Sequence, residues 1–455
     1  MDETRRLADF CHDISLDRIP DEVIHKTKLC ILDYIANIYG SLELGAVSGI
    51  ADYIRSLGCP HAVTALGCGF KTGIHHAAFI NGTTAEAIEA QDGFRFGGNH
   101  PVSAVMPAAF SMAESRGLGG REVLEAVVAG YEVANRIAAS VHPAHTLSGF
   151  LPTGTCGIFG AAAAAARLAD LDGGGILNAL GIAGYLVPLS MAEELMGSFT
   201  VKIVQGGQAA SAGIMAAGLA GTGITGAPYI LEGSELKGGF TQITVRGEPN
   251  LERITKDLGE HYTVMDMYFK PYSACRHTHG SIQATLELME ERKIHPEEVT
   301  GVEVSTYAIG ALAVGKGVTG ERTFVAAQFS IPYVVAACLL DGELGPRQLT
   351  EKRISDPRLL ELAGKVNVQM DETLNQAYPE KTSSRVEIVL KEGEKLMKQV
   401  DIPKGDPRDP MEEGDISDKL KRFAGDRDAG KTERIIDLVL HIEDIDSVKE
   451  LVEMI

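Results

Sequence analysis

Residues 157–171 read GIFGAAAAAARLADL and residues 208–223 read QAASAGIMAAGLAGTG. Side chains this small let helix backbones come close together, the arrangement expected of central helices surrounded by others. Outward from these stretches, apolar residues recur at three and four over Val23–Tyr39, Ala104–Ser115, Arg121–Ala139 and Ile176–Leu189. That is a helical period, and beta signals are nearly absent alongside it. Residues 1–266 are therefore expected to form a large all-helical domain.

After Asp266 the texture changes. GVEVSTYA (301–308), KVNVQMD (365–371) and RVEIVLKEGEKLMKQVDI (385–402) alternate in period two, the last as a hairpin turning at Glu392–Glu394. Helical patterns over His279–Arg292 and Val325–Leu340 lie between them. Strands and helices interleaved in this way predict a smaller α+β domain over 267–402. The acidic helical stretch after Pro410 is expected to rejoin the first domain, which then comprises 1–266 and 403–455. The fold class is mostly α.

The composition excludes several functions. A net charge of -20 makes nucleic acid and anionic membranes poor partners, and an enzyme for an acidic substrate needs a local Lys and Arg cluster to reverse that field. The seven cysteines include no C-x-x-C pair, so disulfide, zinc and iron-sulfur frameworks are not expected. The charged start MDETRRLADF lacks the apolar core of a signal peptide, and a cytoplasmic location follows as the expectation. Gly174–Ala192 and Ile203–Leu231 are uncharged and long enough to span a bilayer, but their Gly, Ala, Asn and Gln content favours buried helices over membrane spans.

Four places carry candidate chemistry. Asp92 and His100 share a glycine-broken loop, where a carboxylate could orient an imidazole and raise its basicity. Lys202 interrupts an apolar run, and a buried ammonium needs a partner or a lowered pKa. Lys270, Arg276, His277 and His279 crowd into FKPYSACRHTHGSIQA (269–284), a candidate for the required positive cluster, with Arg276 suited to two-point contact with a carboxylate. Gly154, Gly157 and Gly160 open a helix without the spacing of a nucleotide loop, leaving a helix start that could hold a substrate carboxylate.

NGTTAEAIEAQDG, NHPVSAVMPAAFSMAES, AGYEVANRIAAS, GFLPTGTCGIFGAAAAAARLADL, ALGIAG, VKIVQGGQAASAGIMAAGLA, KPYSACRHTHGSIQA, AQFSIPYVVAACLLDGEL and KGDPRDP follow one another in this order. The series resembles the MmgE/PrpD family, which includes 2-methylcitrate dehydratase, cis-aconitate decarboxylase and iminodisuccinate epimerase. The resemblance implies a large helical domain with a smaller α+β lid, a homodimer, and a small carboxylic-acid substrate held between the domains. It implies neither metal nor cofactor. Catalytic roles are implied for Asp92, His100, Lys202 and Lys270, and substrate contacts are expected at Thr153, Cys275, Arg276 and His277.

Three departures from the family pattern stand out. Leu151 stands where the family has an imidazole, Glu86, Glu89, Gln91 and Asp92 stand where members often have His and paired acids, and Cys275 stands where cis-aconitate decarboxylase has a His. The favoured expectation is a metal-independent hydro-lyase that takes a proton from the carbon beside a carboxylate of a 2-methylcitrate-like acid. Lys202 or His100 is the expected proton acceptor. Epimerisation or isomerisation, decarboxylation, and a non-catalytic carboxylate binder are the alternatives. Leu151 is compatible with a substrate less polar at one end.

Overall fold

The alanine and glycine stretches form the centre of the helical part. The computed structural model describes residues 2–60, 62–318 and 322–455. Numbering only the longer helices, the first half runs α1 (Glu3–Asp13), α2 (Asp21–Ser41), α3 (Gly45–Ser56), β1 (Val63–Ala65), β2 (Phe70–Thr72), α4 (Ile74–Ala87), β3 (Gly93–Phe94), α5 (Val102–Arg116), α6 (Gly120–Val141), α7 (Gly157–Leu168), α8 (Gly173–Tyr185) and α9 (Gln205–Gly221). Helices α4, α5, α6 and α8 surround α7 and α9.

Contact between α4 and α9 is made by backbone. A Cβ on Gly207 would lie 2.1 Å from the carbonyl oxygen of Phe79, and one on Gly82 would lie 2.7 Å from the Cα of Gly207. No larger residue fits without moving a helix. This crossing fixes the C-terminal end of α4 against the segment leading into α9, and the candidate site lies there.

Some expectations are revised. The pattern over Ile176–Leu189 overshoots, because α8 ends at Tyr185 ahead of Pro188, whose ring disfavours helical backbone in the residue before it. At its other end Asp172 caps the helix by accepting the amide of Gly175. The pattern over Val325–Leu340 is two helices, a short one at Phe324–Gln328 and α11 below, because Ser330 caps the second by accepting the amide of Tyr333. The β1–β2 hairpin and β3 lie in the half where strands were not expected; at two or three residues each, they are too short to show a period.

The second half continues with β4 (Met267–Tyr268), α10 (His279–Arg292), β5 (Val299–Thr306), α11 (Ile331–Asp341), β6 (Val366–Met370), β7 (Ser384–Leu390), β8 (Lys395–Val400), α12 (Glu413–Ala424) and α13 (Ala429–Leu440). The last four strands form one sheet in the order β6-β5-β7-β8, with β5 parallel to β6 and the other pairs antiparallel. Helices α10 and α11 pack against this sheet, while α12 and α13 return to α2. Among the described residues no helix is long and apolar enough to cross a membrane.

Candidate active site

Two acids end α4. Glu86 lies in its last turn and Glu89 follows it, both buried. The backbone at Glu89 is left-handed, with φ of 55°, a conformation that costs a non-glycine residue on the order of 1 kcal/mol and persists where its surroundings hold it. Here two lysines do so. Lys270 donates to the Glu89 carboxylate at 2.7 Å and to its backbone carbonyl at 3.2 Å. Lys202 is hydrogen-bonded to the other oxygen of Glu89 and lies 2.9 Å from Glu86. Gln205, opening α9, also donates to Glu86, at 2.9 Å.

Strands β3 and β4 bring Lys270 to this place. Gly93 pairs with Tyr268 and Phe94 with Met267, joining the loop after α4 to the segment just before Lys270. Gly93 is required there, since a Cβ would lie 2.3 Å from the Tyr268 ring. The domain boundary expected between 266 and 267 thus falls directly before a strand that pairs with the helical part.

Charge follows from this packing. Burial alone would lower the Lys202 ammonium, but Glu86 and Glu89 outweigh it and raise its pKa. Burial alone would raise the Glu89 carboxyl, but Lys202 and Lys270 hold it well below the usual carboxylate range. This favours the ammonium form of Lys202, so of the two expected proton acceptors His100 is the one whose surroundings favour the neutral form.

His100 has the opposite character. Burial and the Lys270 charge push its imidazole down to about 4, so it is neutral near pH 7. Its Nδ1 lies 2.6 Å from the backbone carbonyl of Asp92, an acceptor only, which assigns the proton to Nδ1. Nε2 then carries the free lone pair. The backbone amide of His100 donates to the Thr153 hydroxyl at 3.0 Å, so the segment at 151–155 holds the residue from the other side.

The expected contact between the Asp92 carboxylate and His100 is not made. That carboxylate faces into the helical core, where Tyr131 donates to it at 2.7 Å and the Cys30 thiol and Val102 amide lie against it. Burial and the neighbouring Asp33 raise its pKa to about 7. The backbone of Asp92 holds the imidazole, and its side chain belongs to a separate buried set behind the loop. There Lys419 of α12 bonds to Asp33 at 2.6 Å and to the carbonyl of Ala90 at 2.5 Å.

The second expected cluster is only partly assembled. Arg276 donates from its two terminal nitrogens to the carbonyls of Lys404 at 2.8 Å and Pro403 at 2.7 Å, which fixes the guanidinium and leaves further N–H groups for the expected carboxylate contact. His277 bonds to the Tyr307 hydroxyl at 2.5 Å, and burial with the Lys270 charge lowers it to about 4. His279 is buried and faces the Ala274 carbonyl. Cys275 is buried, and burial together with the Glu89 charge raises its thiol to about 11. Two cavities, of about 440 and 450 Å³, open elsewhere; the first reaches Pro271 and Lys419 at the back of this region.

Glu86, Glu89 and Gln205 are site residues that the reading of the sequence did not assign. The signal for the two glutamates was present in TTAEAIEAQD (83–92), where Glu86, Glu89 and Asp92 recur every three residues in a segment otherwise too apolar to face water. Buried acids require cations from elsewhere in the chain, and Lys202 and Lys270 supply them.

Comparison with known proteins places the chain in a family. The family model described as the MmgE/PrpD N-terminal domain matches residues 5–252, and that of the MmgE/PrpD C-terminal domain matches residues 272–444. A cis-aconitate decarboxylase of Aspergillus terreus is 27% identical, the alignment covering 98% of this chain and 95% of the relative. The cis-aconitate decarboxylase of Homo sapiens is 26% identical, over 99% of this chain and 94% of the relative.

Proposed function

From the premise that this chain belongs to the MmgE/PrpD family, we propose that it is a lyase that moves a proton at the carbon beside a carboxylate of a small di- or tricarboxylic acid. The observation that carries the reading is the meeting of two buried ammoniums, Lys202 and Lys270, on one carboxylate within the electrostatic reach of a neutral imidazole. Glu89 holds the position that a substrate carboxylate would take or share. His100 Nε2 accepts the proton, and the negative charge that develops on the substrate carboxylate is held by the two ammoniums, whose positions are set before substrate arrives.

Dehydration or hydration fits this set when the imidazolium formed on proton removal returns its proton to a departing hydroxide. Decarboxylation is the second reading, favoured by the relatives, which are named cis-aconitate decarboxylases. In that reaction the carbanion left by loss of carbon dioxide takes its proton from solvent or a neighbouring ammonium, because His100 Nε2 is unprotonated near pH 7. A homodimer belongs to the same proposal, supported by the exposed Leu189, Met196, Phe199 and Val201 on the segment leading to Lys202.

The test is proton NMR in D2O with methylcitrate, citrate, cis-aconitate and iminodisuccinate, with released carbon dioxide measured in parallel. Deuterium entering beside a carboxylate supports the reading, and carbon dioxide release selects its second form. A protein stabilised by these acids that washes deuterium into none of them is a binder and not a lyase.

A further inference from the structure

Close packing accounts for the glycines in the first half of α9. A Cβ on Gly206, Gly207 or Gly213 would come within 3.0 Å of Ser103, the Phe79 carbonyl or Ala161. Gly218 is different. A Cβ there would meet nothing within 4 Å, and the residue lies inside the helix, four positions after a buried Ile214. Glycine inside a helix destabilises it relative to alanine, and no neighbour requires one at this position.

Gly218 lines a cavity of about 450 Å³ instead, within the span of small-molecule sites, roughly 300–1,000 Å³. The cavity opens between α9, the start of α4, the end of α5 and the residues after α7. Ile74, Met112, Leu171 and Ile214 make its walls apolar. Its charged lining has one sign. Arg116, the last residue of α5, and the imidazole of His75, the second residue of α4, both line it. No Asp or Glu does, although the chain has 62 acidic residues against 42 basic ones. Arg116 is exposed and has no acidic partner among the described residues. The His75 ring is held at the wall, its Nδ1 lying 3.2 Å from the Ser211 carbonyl oxygen.

An apolar trough with one unspent guanidinium and no acid is complementary to an anion that carries a hydrocarbon tail. We propose that this cavity is a second ligand site, which takes a monocarboxylate with an apolar tail, the carboxylate on Arg116 and the tail between α5 and α9. Glycine at 218 keeps the tail's place open. The cavity is separate from the acids of the candidate active site, since His75 and Glu86 are roughly 16 Å apart along α4 at about 1.5 Å per residue, and the proposal is independent of the lyase reading.

The experiment is calorimetry of the full chain with butanoate, hexanoate and octanoate below their micellar concentrations, and with octanol and octylammonium as neutral and cationic tails of the same length. Affinity is expected to rise by up to about fourfold per added methylene. Octanoate is expected to bind at least about fivefold more tightly than octanol or octylammonium, and Arg116→Gln to remove that advantage, the scale of an exposed ion pair. Gly218→Leu fills the cavity and is expected to weaken octanoate at least about tenfold. Arg116→Gln, at an exposed helix end, keeps the test decisive should the Gly218 variant fail to fold. Absence of octanoate binding, equal binding of the neutral or cationic tail, or undiminished binding in folded Gly218→Leu each overturns the proposal. Sedimentation of the same samples adds a further check: an oligomer that Gly218→Leu dissociates would show the cavity covered by a second copy of the chain, which overturns it as well.

Discussion

The Nδ1 of His100 lies 2.6 Å from the backbone carbonyl oxygen of Asp92, and this contact fixes both the orientation of the ring and the nitrogen that stays unprotonated. A backbone acceptor keeps this role whatever its side chain becomes. His100→Ala should lower turnover at least about a hundredfold, the usual scale for loss of a placed base. Asp92→Asn should retain most of it. Steady-state rates of the two variants check this, and equal loss in both would assign the base's orientation to the carboxylate.

The low pKa of His100 sets a pH profile. The imidazole acts as a base when unprotonated, and burial with the Lys270 charge moves it from its ordinary value to about 4. The acid limb of kcat/KM should therefore fall near pH 4, in place of the limb near 6.5 that an ordinary imidazole base would give. A profile measured from pH 3.5 to 8 on the fastest substrate tests this.

Asp92 has the opposite shift, with a consequence for stability. Its carboxyl is raised from 3.8 to about 7, so between these values the folded chain holds a proton that the unfolded chain has lost. Stability from this group is complete below about 3.8 and is lost as pH rises to about 7, by at most about 4 kcal/mol at 1.36 kcal/mol per pKa unit. Asp92→Asn should flatten that decline, as read from urea midpoints at pH 5 and pH 8.

Removing Lys202 strips Glu86 and Glu89 of a shared buried partner. Lys202→Ala should cost about 3–5 kcal/mol of stability as well as at least about a hundredfold in turnover, the scale for losing a group that holds developing charge. Adding Glu89→Gln should recover part of the stability and none of the turnover. Denaturant titration of the single and double variants gives the coupling.

Gly207→Ala tests the helix crossing behind the site. The added methyl would sit 2.1 Å from the Phe79 carbonyl and force α4 away from α9. The expected cost is about 1–3 kcal/mol, in the range of overpacked cores, together with a raised KM as Glu86 and Glu89 move relative to Lys202. Thermal unfolding and kinetics report the two effects separately.

The helical and sheet-forming halves were legible because their side chains carry the period of their environment. GIFGAAAAAARL could only be a buried helix, and RVEIVLKEGEKLMKQV matches β7, the turn at Gly393 and β8. Lys202 was legible as a charge in apolar surroundings, and Lys270 as a member of a crowded basic segment. The acid joining them was not, because contact between Glu89 and Lys270 spans 181 residues and depends on the β3–β4 pairing, which is too short to read. The direction of the Asp92 side chain was hidden for a related reason. Sharing a loop with His100 brings the two residues together without saying whether backbone or carboxylate faces the ring.

Lys419 reaches across 386 residues to Asp33 and also grips the Ala90 carbonyl, directly behind the loop that orients His100. A chain cut before α12 lacks both contacts, leaving Asp33 without its counter-ion and the loop at residues 89–92 without its rear support. The helical half by itself is therefore expected not to reproduce the geometry around His100, although it carries that residue.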